Sequence, residues 1–309
     1  MTKRQELKES ILDIVKGNTP NAIPQHLLIA GNEGTGKSFI MDELAQELTS
    51  RGCEVTSYYY PHGNIVAAAD IVNRMHFTEN KAHVILIDDF DRMLLMLPND
   101  EQYSFRSFLF KKNAPMLIAT STGIYKGFSD YRAPFYDAFR VFHIPQLEDK
   151  DLIQILPREI YESVKSNLDF QSLLPALEDN INYIYSLAVA VHSELSIDEA
   201  LIKVVNENNR YFRSLFSSFS GVLQRALYGL ATANEDLGTP ELNHRIANAA
   251  QVMRASRLTA MNTSSALFRL EKQGIISKVG DKKRNISYQI KDYLFELWLK
   301  KINKKSYTV

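Results

Sequence analysis

The sequence predicts an α/β fold, in which a parallel sheet carries a phosphate loop and is followed by a helical region and a small basic C-terminal domain. Three observations predict it. The stretch Gly31-Asn32-Glu33-Gly34-Thr35-Gly36-Lys37-Ser38 has the spacing Gly, four residues, Gly-Lys-Ser. Short apolar runs alternate with helical patterns up to about residue 147, which implies a parallel sheet with right-handed crossovers. The chain is neutral overall, yet residues 212–309 hold 16 Lys/Arg against 7 Asp/Glu, leaving the remainder equally acidic.

Taken in order, Lys3 to Val15 has Leu7, Ile11, Leu12 and Val15 on one helical face. A loop at 17–24 follows; Ile23 within it is either a plain loop anchor or a contact for a base. Leu27-Leu28-Ile29-Ala30 is a short apolar strand, and Phe39 to Leu48 is apolar at helical spacing. Strand, glycine loop and helix are the context a phosphate loop requires. The glycines let backbone N–H groups turn inward, and the helix start adds the positive end of its dipole. Lys37 then reaches the β- and γ-phosphates and Ser38 ligates Mg²⁺, with Asn32, Glu33, Gly34, Thr35, Gly36 and Phe39 completing the cradle.

Glu54 to Tyr60 is a β-rich run stopped by Pro61, expected beside the central strand, and Ile65 to His76 has the pattern of a crossover helix. In His83-Val84-Ile85-Leu86-Ile87-Asp88-Asp89 four apolar residues end in acid, the mark of a buried parallel strand with carboxylates at its C-terminal edge. Asp88 is the expected Mg²⁺ partner, mostly through water. Asp89 either orients and deprotonates the attacking water or caps the next helix. Asp91 and Arg92 fit a solvated helix face, which is the preferred reading of Arg92. Asp100 to Lys112 is helical, Met116 to Ser121 is an apolar strand ending in hydroxyls, 123–137 is loop-rich, and Arg140 to Leu147 supplies a last strand.

From Asp149 to Tyr211 the pattern is helical only, with Ile181 to Val191 the strongest segment, and a lid beside the nucleotide is expected. The expected domains are therefore 1–147, 148–211 and 212–309. In the last of these, Val222 to Ala231 is an amphipathic helix, and Thr239 and Pro240 open another as N-cap and first residue. Asn262 to Gly274 forms a third, stopped by its glycine. Two strand-like runs, Ile275–Val279 and Ile286–Ile290, flank the basic turn Gly280 to Asn285. Three helices and a basic hairpin resemble a winged helix-turn-helix. In that case Asn262, Thr263, Ser265 and Arg269 face a major groove and Lys282, Lys283 and Arg284 meet phosphates, so double-stranded DNA is the expected partner. Winged helices also serve as protein-contact modules, and that alternative stays open. The tail to Leu299 docks back as an amphipathic helix.

The ordered set resembles an AAA+ ATPase of the archaeal-type group, near the origin-recognition and STAND switch proteins. The resemblance rests on the phosphate loop, on Ile87-Asp88-Asp89-Phe90-Asp91, on Ile118-Ala119-Thr120-Ser121, on Phe139-Arg140, and on the closing winged helix with Tyr288 and Trp298. It implies an α/β P-loop NTPase sheet of AAA+ type with a helical lid and a C-terminal winged helix, binding ATP and Mg²⁺. It further implies that Thr120 or Ser121 is the sensor on the fourth strand. Arg140 becomes the arginine that reaches a neighbouring subunit's γ-phosphate in a homo-oligomer, against the alternative of a surface residue beside a strand. The chain departs from the family in two ways. Asp89 stands where Glu is usual and is one methylene shorter, so hydrolysis is expected to be slow. The lid arginine expected near Asn182-Tyr183 is missing.

Two functions fit: an ATP-controlled DNA-binding switch, or a signalling or scaffold ATPase whose winged helix contacts protein. A small-molecule phosphotransferase fits poorly, for no acceptor pocket is evident. The seven histidines are scattered without zinc spacing, and the single Cys53 excludes an internal disulfide framework. No apolar run of membrane-spanning length exists, and a cytoplasmic location is expected.

Overall fold

Burial on both faces explains why the apolar runs of the first half become one sheet. In the computed structural model, residues 2–18, 22–59, 82–122, 128, 130–233, 245–280 and 286–306 are described. The expected crossover helix at 65–76, the helix start at 238–242 and the basic turn residues Lys282, Lys283 and Arg284 lie outside them. Contacts divide the chain into two compact units, Met1–Ile155 and Leu156–Val309.

In the first unit, β1 (Leu27–Ala30), β2 (Glu54–Tyr59), β3 (His83–Asp88), β4 (Met116–Ser121) and β5 (Arg140–His143) form a parallel sheet in the order β2-β3-β4-β1-β5. Alternate side chains feed two cores. Leu28, Ile85, Ile87, Leu117 and Ala119 face one core with Phe90, Phe105 and Phe135. Leu27, Ile29, Val84, Leu86, Met116 and Ile118 face the other, which is covered by α1 (Lys3–Gly17) and α2 (Lys37–Ser50). Thr2 and Gln5 close a capping box at the start of α1. Among the described residues, helices α3 (Phe90–Met96), α4 (Asn99–Leu109) and α5 (Asp149–Ile155) also belong to this unit.

The run at 54–59 takes an edge rather than a place beside the central strand, pairing with β3. Its mixed exposure suits an edge, whereas β1 and β4 are buried throughout.

The second unit opens with α6 (Arg158–Val164), α7 (Leu168–Leu173) and a 3₁₀ turn at Leu174–Leu177. It continues through α8 (Ile181–His192), α9 (Ile197–Glu207), α10 (Asn209–Ser217) and α11 (Gly221–Thr232). Then come β6 (Ala247–Asn248), α12 (Ala249–Ser256), α13 (Ala260–Lys272), β7 (Ile276–Val279), β8 (Ser287–Ile290) and α14 (Tyr293–Ser306). The short strands form an antiparallel sheet, β6-β8-β7.

The expected border at 211/212 falls inside the continuous helix α10. Aromatic packing explains why no seam forms there. Phe212 lies 5.7 Å from Phe295 and 6.1 Å from Trp298 between ring centroids. The Trp298 indole donates to Asn209 Oδ1 at 2.8 Å, and the Tyr183 hydroxyl donates to Asp292 Oδ2 at 3.0 Å. The helices expected as a separate lid, from residue 156 on, thus share one core with the C-terminal third. The border at 147/148 likewise moves, because α5 belongs to the first unit.

Candidate nucleotide site

The phosphate-loop segment closes at the C-terminal end of β1. Gly34 and Gly36 take φ of 79° and 88°, and Gly36 is the left-handed N-cap of α2. A side chain would be strained at both positions, which is why the loop is written in glycine. Lys37 is the first residue of α2 and is buried. Its ammonium donates to the carbonyls of Gly31 at 3.0 Å and Asn32 at 2.8 Å. Burial lowers its pKa, and the carboxylates of Asp89, Asp88, Asp91 and Glu33 oppose that shift. Thr35 turns back on the loop, its hydroxyl donating to the Asn32 carbonyl at 2.8 Å.

Strand register places the acids. Ile87 pairs with Ala119, so Asp88 and Thr120 are next to each other at the sheet's C-terminal edge. The Thr120 hydroxyl donates to Asp88 Oδ1 at 2.5 Å and accepts the Asp89 N–H at 2.8 Å. The Ser38 hydroxyl donates to the other oxygen, Asp88 Oδ2, at 2.6 Å. Phosphate-loop serine, strand-end aspartate and fourth-strand threonine, which the sequence separates by 50 and 32 residues, are therefore one hydrogen-bonded cluster. Ser121, the other candidate on β4, is buried, and its carbonyl accepts the Gly31 N–H at 3.1 Å.

Asp89 stands in the left-handed region at φ 52° and is the N-cap residue of α3, yet its side chain makes no capping bond. Aspartate tolerates this conformation better than most residues. Its carboxylate pairs instead with Arg92 at 3.3 Å. Burial raises the Asp89 pKa, Arg92 opposes the rise and Asp88 adds to it.

Two expectations about the next turn are corrected. Asp91 is buried rather than solvated, and its Oδ2 accepts the Thr122 hydroxyl at 2.7 Å and the Thr122 N–H at 3.2 Å. Arg92 is not a bystander on a helix surface, for it bridges Asp89 and Glu33, the latter at 3.3 Å. The three-residue helical spacing that brings Asp89 and Arg92 together was readable in the sequence; the approach of Glu33 from the loop was not. Arg4 was also missed. It reaches from α1 to donate to the Thr35 carbonyl at 2.7 Å.

Phe39 is 57% exposed on the first turn of α2. Arg140 is exposed, with its guanidinium over the Phe142 ring. It pairs with Leu27 at the far end of β1, about 10 Å along the strand from Ala30. It is therefore not brought together with this chain's own cluster.

In the second unit, α13 exposes Asn262, Ser265 and Arg269 as expected. Thr263 does not face outward. It is 1% exposed and its hydroxyl is turned onto the Thr259 carbonyl at 2.9 Å. Helical spacing dictates this: Thr263 shares its face with Ala266, Leu267 and Leu270. Met261, 79% exposed, and Phe268, 60% exposed, stand on the outward face instead.

Residues 27–112 match the family described as "ATPase family associated with various cellular activities (AAA)". The five-stranded parallel sheet with its helices matches the P-loop NTPase fold of that family. Among solved structures, the chain is similar to the ORC1 protein of Aeropyrum pernix in complex with DNA, at 12% identity and TM-score 0.46, covering 99% of this chain and 93% of that one. It is similar to a RuvB mutant of Thermotoga maritima at 15% identity and TM-score 0.44, covering 98% and 94%. AMPPCP-bound DnaA from Aquifex aeolicus aligns at 13% identity and TM-score 0.40, covering 99% and 95%. No curated protein matches the chain.

Proposed function

We propose that the chain binds ATP with Mg²⁺ on the 31–38 loop, hydrolyses it slowly, and uses that nucleotide state to control a duplex-DNA-binding winged helix in its second unit. The observation that carries this reading is the meeting of Ser38 Oγ with Asp88 Oδ2 at 2.6 Å beneath a glycine loop and its lysine. A hard divalent cation takes oxygen ligands, and these two oxygens fit one that keeps most of its waters. Bound there, Mg²⁺ would neutralise charge that develops between the β- and γ-phosphates.

The chain's own residues supply the rest. Lys37 would exchange its two carbonyl partners for phosphate oxygens, which bond a cation more strongly. Asn32, Glu33, Gly34, Thr35 and Gly36 offer main-chain N–H groups, and Phe39 offers an exposed ring to the nucleoside. Asp89, its pKa raised by burial, is the base that would orient the attacking water and accept its proton. Thr120 keeps Asp88 and the Asp89 backbone in place. The shorter Asp89 side chain favours slow turnover, which suits a switch.

The DNA reading rests on the charge of residues 212–309 and on the outward Asn262, Ser265 and Arg269 of α13. The hairpin cations Lys282, Lys283 and Arg284 would add phosphate contacts. A protein partner is the second reading, favoured by Met261 and Phe268 on the same helix face. Arg140, at the end of the sheet away from its own loop, would act only across a subunit boundary. One experiment separates the two readings: duplex-DNA binding with ATP, ADP and no nucleotide at 50 and 200 mM salt. An affinity that falls steeply with salt and changes with nucleotide is expected, roughly tenfold or more for a handful of phosphate contacts. Binding that is absent or indifferent to salt moves the assignment to a protein partner.

A further inference from the structure

The phosphate-loop segment carries an acid, Glu33, where a polyphosphate is to sit, and Asn182-Tyr183 stand where the family resemblance implies an arginine. Both oddities lead to Arg92. Its guanidinium bridges Glu33 Oε1 through Nη2 and Asp89 Oδ2 through Nη1, each at 3.3 Å, and its side chain is 37% exposed. It therefore spans from the loop to Asp89, the acid to which the proposed function gives the attacking water, and its charge is held by two carboxylates. Four carboxylates, Asp88, Asp89, Asp91 and Glu33, act on Lys37. Mg²⁺ on Ser38 and Asp88 would offset part of that charge, and Glu33, Asp89 and Asp91 leave a need for a further cation at the terminal phosphate.

We propose that Arg92 is a γ-phosphate-binding residue acting within its own chain, which exchanges its Glu33 and Asp89 carboxylates for the terminal phosphate of a bound nucleoside triphosphate. Ion pairs this exposed are weak and easily exchanged. A guanidinium fork on a phosphate gains charge-assisted bonds of better geometry. The exchange has a second effect. Asp89 loses its partner only when a γ-phosphate has arrived, so its carboxylate turns to water only when there is something to hydrolyse. A diphosphate ends too early to draw Arg92 away, and leaves Asp89 paired. Arg92 thus reads triphosphate against diphosphate from within the first unit. This inference rests on the proposal that ATP occupies the 31–38 loop.

The test compares full-length wild type with Arg92→Ala, Arg92→Gln and Arg92→Lys, measuring ATP and ADP affinity by calorimetry and kcat and KM under saturating Mg²⁺. Arg92→Ala and Arg92→Gln should weaken ATP binding about tenfold, the scale of one lost charged contact, and leave ADP affinity within twofold of wild type. Both should also lower kcat, and Arg92→Lys should recover part of each loss. Equal loss for ATP and ADP would overturn the proposal. A raised kcat with an unchanged ATP-to-ADP ratio would also overturn it, leaving Arg92 as a mere restraint on Asp89. If the wild type binds neither nucleotide, the site assignment itself fails, an outcome distinct from either. Arg92 lies on the surface of α3, so the variants should fold; a melting temperature matched to wild type checks this.

Discussion

The cluster at Asp88 and the outward face of α13 are built on opposite principles. Around Asp88 the polar groups are mutually bonded: the exposed Ser38 and the buried Thr120 hold both carboxylate oxygens, and Thr120 also receives the Asp89 N–H. On α13 the corresponding face is solvated, with Met261 and Phe268 set among Asn262, Ser265 and Arg269. On the proposed function, the first would be preorganised for a small, highly charged ligand. The second is a helix held firmly from behind by Thr263, Ala266, Leu267 and Leu270, offering a surface that chooses its partner by what it lacks as much as by what it presents. The chemistry of one site can be read from its interior bonds. The partner of the other must be measured.

The largest break between the two comes from Lys37→Ala. Two phosphate contacts by an ammonium are lost, so ATP affinity should fall a hundredfold or more, as roughly two charged contacts dictate. Duplex binding in the absence of nucleotide should be unchanged. Calorimetric titration beside a DNA-binding assay checks both; ATP affinity that survives the change would remove the 31–38 loop from the assignment.

The mirror experiment is Gly229→Ala. A Cβ at Gly229 would lie 2.6 Å from Ser256 Cβ, 2.8 Å from its backbone N and 2.9 Å from the Val252 carbonyl. Backbone cannot step aside as a side-chain tip can, so α11 and α12 must move apart. The expected cost is about 1–3 kcal/mol. Trp298, the one tryptophan of the chain, sits in this unit and reports its unfolding by fluorescence. ATP binding in the first unit should persist; its loss at temperatures where the second unit is still folded would show the substitution acting beyond its own unit.

The smallest effect concerns pH, and its sign differs between the units. His26 is buried, its Nδ1 accepting the Leu117 N–H at 3.0 Å, and burial lowers its pKa from 6.5 to about 4. Its fold therefore favours the neutral ring, and the stability this group contributes is full above pH 6.5 and drains away as pH falls towards 4. In the second unit, burial raises the Asp292 pKa above 3.8, against its bonds from the Phe295 and Leu294 N–H groups and the Tyr183 hydroxyl and the charge of Arg245. That fold favours the protonated acid, so its contribution is full below pH 3.8 and is lost as pH rises through the raised value. His26→Asn should flatten the acid-side slope in hydrogen exchange of β1 and β4. Asp292→Asn, which keeps a capping side chain, should flatten the slope reported by Trp298. Slopes of the same sign in both units, each removed by its own variant, would contradict this account.

Much of the nucleotide cluster was legible because its signals are local. Glycines at 34 and 36 announce positive φ, an apolar run ending in Asp88 announces a buried strand, and the match of residues 27–112 to the AAA family covers this same stretch. What local pattern could not give was the third dimension. Arg4 meets Thr35, and Arg92 meets Glu33, only after α1 and α3 have packed. Asp91 looked solvated because charge is usually exposed, yet in the first turn of α3 it is buried against Thr122. Thr263 was misplaced for the opposite reason: its polar type outweighed a helical spacing that already put it with Leu267 and Leu270. The helix at 249–256 escaped notice, eight residues being too short for a clear period. The border drawn at 211/212 followed a change in charge, and charge says little about where a core ends.

The continuity of the second unit has a mechanical side. Because α10 runs unbroken through residues 211 and 212, and because Trp298 and Asp292 are tethered to Asn209 and Tyr183, α13 belongs to one compact unit with the helices that precede it. A tug on α8 is felt at α14 without slack.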